Sequence, residues 1–130
     1  RLTVDAAISR QPEDIIDRVR ERMRADAIGR VVIIQLGTNG IPSAADLRDL
    51  LIDLGDRDRV VLVNVQSPVS WMDQSNRAIN AAALGLDHVA VADWAAEARG
   101  HGEYFEADGT HLTDSGRSAY VRLIEASLRR

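Results

Sequence analysis

The sequence contains no cysteine and no lysine, and these two absences exclude several classes of chemistry. Without cysteine there is no thiol nucleophile, no disulfide and no thiolate zinc site. All 16 basic residues are arginines, which excludes a P-loop lysine, a Schiff-base lysine and the lysine of a phospho-acceptor receiver domain. No apolar run approaches the ~20 residues that are needed to cross a bilayer.

Aromatic residues are also scarce, at 4%, but the remaining composition is that of a folded domain. Acidic residues number 20, the net charge is −4, and the arginines are interspersed with the acids. This charge pattern indicates no nucleic-acid-binding surface. A length of 130 residues predicts a single domain over residues 1–130.

Three short segments rich in β-branched residues predict buried parallel strands, at 31–36, 60–65 and 88–92. Residues 2–7 form a weaker fourth strand prediction. Between these segments, apolar residues recur at helical spacing and predict helices. Thr113 is placed as the N-cap of the last helix. The alternation predicts an α/β fold, a three-layer α/β/α sandwich around a parallel sheet.

Polar residues follow each predicted strand, where open parallel sheets bind their ligands. A long irregular stretch at 100–112 follows the last strand, and a loop of that length in a compact domain is often functional. The segments concerned are Ser9-Arg10-Gln11, Gly37-Thr38-Asn39-Gly40, 66–71, Asp93-Trp94 and Asp108-Gly109-Thr110-His111.

Asp108 and His111 form the sharpest of these patterns. A carboxylate three residues before an imidazole can hydrogen-bond to the ring and stabilise its protonated form. Two other interpretations stay open, a plain surface pair at a helix start and a metal site. The metal site would recruit His88, His101 or Asp93, whose spacing matches no zinc motif.

The Asn39 turn and the two tryptophans each have a structural and a functional interpretation. Asn39-Gly40 favours a tight turn, and its amide could also donate to an oxyanion; no glycine-rich phosphate motif is present. Trp71 either packs at the edge of the core or forms a wall of a substrate pocket. Trp94 is expected to pack at the core.

Taken together and in order, these motifs resemble the SGNH hydrolase superfamily. Within it they are most similar to the extracytoplasmic domain of membrane-bound acyltransferases that O-acetylate peptidoglycan. The resemblance runs from about Val4 to Tyr120, and the ordered combination is more specific than any one motif. It is carried by Gly37-Thr38-Asn39-Gly40, by the Pro68…Trp71…Asn76 stretch, by Asp93-Trp94, and by Asp108-Gly109-Thr110-His111-Leu112 followed by Gly116.

The resemblance implies a flavodoxin-like SGNH fold and an acyl-transfer reaction, by an O-acetyltransferase or esterase. It implies that His111 is the catalytic base, Asp108 its orienting acid, and Asn39 an oxyanion donor. The backbone N–H of Ser9, where this branch usually has glycine, is the second donor. Trp71 and Gln11 are assigned to the substrate pocket.

The same resemblance also implies which partners and which location to expect for this protein. The substrates are an acyl donor and the hydroxyl of an acylated glycan or similar acceptor, with no metal or other cofactor. The location is the extracytoplasmic face of the cell membrane or outside the cell, and the parent protein is expected to carry a transmembrane acyltransferase domain.

One family motif is absent, the Gly-Asp-Ser block that holds the nucleophile on the family's first strand. We therefore expect this chain to be the C-terminal part of a larger domain or protein, with the first strand and helix, and the serine, supplied by a separate N-terminal segment. Ser9, at a strand-to-helix turn, is the alternative nucleophile.

Two other functions are considered. One is a non-catalytic glycan-binding or scaffold domain that has lost the nucleophile. The other is a flavodoxin-like domain for a nucleotide or flavin, which the absence of lysine and of a phosphate loop disfavours.

Overall fold

A parallel three-stranded sheet organises the chain, in a computed structural model that describes residues 2–129. The strands are β1 (Val31–Gln35), β2 (Arg59–Val63) and β3 (Val89–Ala92), in the spatial order β1-β2-β3. All three predicted strands are confirmed as parallel, with bounds that differ by one or two residues. The prediction that each is buried on both faces is wrong for β1, where Val31 and Ile33 are 48% and 42% exposed. β2 lies in the centre and is buried on both faces from Val60 to Val63, as the apolar sequence of these residues predicts.

Within residues 2–129, five α-helices cover the two faces of the sheet, so the predicted three-layer α/β architecture is confirmed. The helices α1, α2 and α3 pack with one apolar cluster, and α4 and α5 with the other. No helix within residues 2–129 combines the length and apolar character needed to cross a membrane. The helix bounds are α1 (Pro12–Arg24), α2 (Ala44–Asp53), α3 (Met72–Ala83), α4 (Trp94–Glu97) and α5 (Asp114–Leu128).

Side-chain caps determine where several of these helices begin. The Ser43 hydroxyl accepts a hydrogen bond from a backbone N–H in the first turn of α2, and the Asp93 carboxylate does the same for α4. Thr113 caps α5 as predicted, accepting from the N–H of Gly116. The caps of α4 and α5 both lie beyond β3, so local sequence fixes how the chain leaves the carboxyl edge of the sheet.

The prediction of a fourth strand at residues 2–7 is wrong. This segment has no strand hydrogen bonds, and Leu2 and Val4 are 80% and 75% exposed. A cavity of about 860 Å³ separates it from β1, with α1 forming a third wall. Without a neighbouring strand, a short apolar segment has nothing against which to form a ladder.

Asp5 ties the same segment to α1 instead. Its carboxylate accepts hydrogen bonds from Arg18 at 2.6 Å, Arg22 at 2.8 Å and Arg10 at 3.0 Å. These bonds, led by the one from Arg18, hold the pKa of Asp5 well below its usual range. Residues 2–7 are therefore held by ion pairs on one side while the edge of β1 stays unpaired among residues 2–129.

Replacing Gly116 by alanine is expected to destabilise the fold by about 1–3 kcal/mol. A Cβ at this position would lie 2.0 Å from the carbonyl oxygen of Tyr104, so the backbone of the preceding loop would have to move. Chemical denaturation should show the loss. Gly102→Ala is the control, because open space surrounds a Cβ there; equal stability losses in the two variants would contradict the steric argument.

Candidate active site

The Asp108–His111 turn is held by its own backbone and side-chain hydrogen bonds. The His111 Nδ1 and Asp108 Oδ2 atoms are 2.5 Å apart, which makes this predicted contact a feature of the structure. The other carboxylate oxygen accepts from the backbone N–H groups of Thr110 and His111, each at 2.9 Å. Gly109 supplies the positive φ of 69° that lets the chain turn so tightly.

The contact between Asp108 and His111 shifts the pKa values of both groups. The hydrogen bond from His111, with help from the two backbone N–H groups, lowers the pKa of Asp108 to about 2. The same carboxylate raises the pKa of His111 above its ordinary value, and Glu106 adds a smaller contribution. Asp108 therefore stays ionised near neutral pH, and the ring is a stronger base than a free imidazole.

The remaining ring nitrogen of His111 is open to a reactant. Within residues 2–129, Nε2 has no hydrogen-bond partner, and the side chain is 81% exposed. A carboxylate on Nδ1 with an accessible Nε2 is the arrangement that a general base needs to take a proton from a hydroxyl.

Asn39 lies beyond the carboxyl end of β1, where it contacts the turn that contains Ser9. Its Nδ2 donates to the carbonyl oxygen of Arg10 at 3.2 Å, which brings the two predicted oxyanion donors onto neighbouring turns. The second N–H of that amide is not used in this bond. Ser9 adopts a φ of 59°, the left-handed conformation that glycine favours, at the position where the resembling family has glycine.

The two predicted pocket residues lie beside the loop after β1. The Trp71 Nε1 donates to the carbonyl oxygen of Thr38 at 3.2 Å, and its ring is half-buried. The backbone N–H of Gln11 donates to Asp14 at the start of α1, and its side chain packs beside Gly40. Both residues lie near Asn39 in the fold, and their contact with substrate stays a prediction.

The chain aligns over nearly its whole length with known bacterial proteins. It is 36% identical over 123 residues to the peptidoglycan O-acetyltransferase OatA of Listeria monocytogenes, an alignment that covers 95% of this chain and 20% of that protein. It is 34% identical over 122 residues to the O-acetyltransferase OatA of Staphylococcus aureus, covering 93% and 20% respectively. This chain is a homologue of part of the peptidoglycan O-acetyltransferases. The resemblance drawn from its motifs is thereby confirmed.

The alignment covers only part of each relative. The chain spans about one fifth of the length of the relatives it matches. No protein-family model matches the chain. The names of the relatives describe whole proteins.

The three residues considered as further metal ligands lie in separate contacts. His88 shares a 2.7 Å hydrogen bond with the carbonyl oxygen of Leu51, and His101 contacts Glu103 at the same distance. Asp93 caps α4. Within residues 2–129, no cluster of three or more metal-ligating side chains is present.

Several residues that support the site were missed by reasoning from the sequence. The buried Ser75 hydroxyl donates to the carbonyl oxygen of Gly37 at 2.9 Å, which fixes the loop that carries Asn39. Ser67 shares a hydrogen bond with Thr110 in the Asp108–His111 turn. A single serine carries no spacing signal, so no pattern in the sequence predicts these contacts. Trp94, by contrast, packs in the core as expected.

Proposed function

We propose that this chain supplies the general base and the oxyanion contacts of an O-acetyltransferase. The reaction moves an acyl group from an ester donor to the hydroxyl of a glycan, for which the peptidoglycan named for its relatives is the natural candidate. The observation that carries the proposal is the Asp108–His111 contact with its accessible Nε2. Cofactor chemistry plays no part in this scheme.

The first half of the reaction forms an acyl-enzyme. A serine hydroxyl attacks the acyl carbonyl while His111 Nε2 takes its proton, and Asp108 stabilises the imidazolium that results. The oxyanion of the tetrahedral intermediate receives hydrogen bonds from the free amide N–H of Asn39 and the backbone N–H of Ser9. As the intermediate collapses, His111 returns the proton to the leaving alcohol of the donor.

The second half transfers the acyl group to the acceptor. The acceptor hydroxyl attacks the acyl-serine, and His111 takes the proton from that hydroxyl. The same two donors stabilise the second oxyanion, and the collapse releases the ester product. His111 then gives the proton back to the serine, so the cycle ends with all groups in their starting state. If water replaces the acceptor, the result is hydrolysis, which is the esterase form of the reaction.

We propose that the serine comes from a separate N-terminal segment that adds a strand beside β1. The edge of β1 is unpaired within residues 2–129, and Val31 and Ile33 on one of its faces are 48% and 42% exposed. The adjacent cavity reaches Asn39 at the carboxyl end of β1. A parallel strand in this cavity would therefore bring its last residues to the edge of the sheet that carries His111.

The parent protein is proposed to carry a transmembrane acyltransferase domain, with this chain on the extracytoplasmic face. The relatives support this arrangement, because the Listeria monocytogenes protein is named for an activity on peptidoglycan and is about five times as long as the matched region.

The pH dependence of turnover tests this proposal. Only neutral His111 can accept a proton, and Asp108 raises its pKa, so acyl transfer should increase with pH through a midpoint above the ordinary value of about 6.5. In Asp108→Asn the midpoint should move to lower pH, and the plateau rate should fall by about 100-fold or more. The assay uses the native-length protein with an activated acetyl ester.

The matched control is Asp87→Asn, because Asp87 is exposed and lies before β3, at the opposite edge of the sheet from His111. It should leave the pH profile unchanged. An Asp108→Asn profile identical to that of the unsubstituted protein would refute the proposed role of this pair.

A further inference from the structure

The segment that follows β2 is anchored before it reaches the site. Val65 makes two hydrogen bonds to one side chain: its N–H donates to Asn76 Oδ1 at 2.8 Å, and its carbonyl accepts from Asn76 Nδ2 at 2.9 Å. Asn76 lies on α3, and Val65 is buried. The backbone leading to residue 67 is therefore held to a helix rather than left as a free loop.

Ser67 connects this anchored segment to the Asp108–His111 turn. Its side chain is buried, at 3% exposure, and its hydroxyl lies 2.6 Å from the hydroxyl of Thr110. Beside this bond Pro68 packs against Gly109, where an added Cβ would lie 3.2 Å from the proline ring. Residues 67 and 68 therefore both contact the Asp108–His111 turn directly.

The position of Thr110 makes this contact relevant to the base. Its N–H donates to Asp108 Oδ1, and it directly precedes His111 in the chain. The His111 ring is mostly exposed and is held only by Asp108 among the described side chains, so its orientation depends on the backbone of the turn. Outside the Ser67 contact, the turn is held by the pairing of Phe105 with Leu112 and by two backbone hydrogen bonds. The Glu106 N–H donates to the carbonyl oxygen of His111 at 2.8 Å, and the Gly109 N–H donates to the carbonyl oxygen of Glu106 at 2.9 Å.

We propose that Ser67 is a positioning residue: its hydrogen bond to Thr110 holds the turn in the conformation in which Asp108 contacts His111. As a statement about catalysis this rests on the proposed function. The geometric part of the proposal depends only on the hydrogen bonds between Val65 and Asn76, the burial of Ser67 and its 2.6 Å contact with Thr110.

The experiment measures the protonation of His111 separately from turnover, in the native-length protein. Diethyl pyrocarbonate modifies neutral imidazole, and peptide mapping by mass spectrometry gives the pH midpoint of that reaction for each histidine. The charged groups that face His111 are Asp108 and Glu106, and neither is changed. The variants are Ser67→Ala, Thr110→Val, which removes the hydroxyl at nearly constant shape, and Thr110→Ser, which keeps it. His88 and His101 serve as internal references.

Ser67→Ala and Thr110→Val are each expected to move the His111 midpoint to lower pH, because the contact with Asp108 loosens. Each should lower kcat by about 10- to 100-fold with KM changed less, since a small misplacement of a catalytic group has effects of this size. The double variant should lose little more than either single one, because both remove one bond. Thr110→Ser should behave as unsubstituted protein, as should Ser70→Ala, an exposed serine of the same loop.

An unchanged His111 midpoint in both Ser67→Ala and Thr110→Val would overturn the proposal, and so would an equal effect of Thr110→Ser. The midpoint does not require turnover. A shifted midpoint in a protein without acyl transfer would therefore contradict the proposed function while supporting the positioning role of Ser67.

Discussion

His111→Ala is expected to lower kcat/KM for acyl transfer by about 10⁴-fold or more, the loss seen when a general base of this type is removed. Without the imidazole, the attacking hydroxyl must lose its proton to water, and the leaving alcohol receives none. The other two histidines lie in separate contacts outside the Asp108–His111 turn, His88 with the Leu51 carbonyl and His101 with Glu103. The measurement is steady-state turnover of an activated acetyl ester by the native-length protein.

The control for this variant is His101→Ala, which also removes a partly exposed imidazole that contacts a carboxylate. It should keep turnover within about twofold, as expected for a surface change away from the site. The thermal stability of His111→Ala should stay close to that of unsubstituted protein, because the ring is 81% exposed. Near-normal turnover in His111→Ala would remove the general base from the mechanism.

Asn39→Ala is expected to lower kcat by about 10²- to 10³-fold, the range measured for loss of one oxyanion donor. The amide is exposed beyond β1, and only one of its two N–H groups is used in the bond to Arg10. Because the oxyanion forms only during the reaction, the loss should fall on kcat rather than on KM. Single-turnover kinetics of ester cleavage would measure it.

Two further variants test whether the amide N–H groups of Asn39 are what the reaction needs. Asn80→Ala removes an exposed asparagine amide from α3 and should leave kcat unchanged. Asn39→Asp keeps the shape of the side chain but loses both N–H groups, including the one that donates to Arg10, so it should be at least as impaired as Asn39→Ala. An active Asn39→Asp variant would show that Asn39 does not donate to an oxyanion.

The parts of the molecule that could be predicted from the sequence are those determined by neighbours along the chain. Runs such as Val60 to Val63 predict a buried strand because a short apolar run that is rich in β-branched residues is typical of a strand covered on both faces. Asp108 and His111 are three residues apart, so a single turn brings them together. Thr113 caps α5 through a bond that spans three residues.

The missed features depend on residues far apart in sequence. The Ser67 and Thr110 hydroxyls are separated by 43 positions, and Ser75 lies 38 positions from the carbonyl that it contacts. Residues 2–7 have the composition of a strand, but whether such a segment pairs depends on what lies beside it. In the structure a cavity lies between residues 2–7 and β1, and Asp5 holds the segment to α1 instead.

The most direct test of the account is to trap the acyl-enzyme. Native-length protein is mixed with an activated acetyl ester, quenched in acid and digested, and the acetylated peptide is identified by mass spectrometry. The account predicts an acetyl group on one serine, carried by a segment that pairs with β1, and its loss in His111→Ala. Acetylation of Ser9 would contradict its role as a backbone donor. An equal yield of acetyl-serine in His111→Ala, or none in the unsubstituted protein, would contradict the Ser-His-Asp mechanism itself.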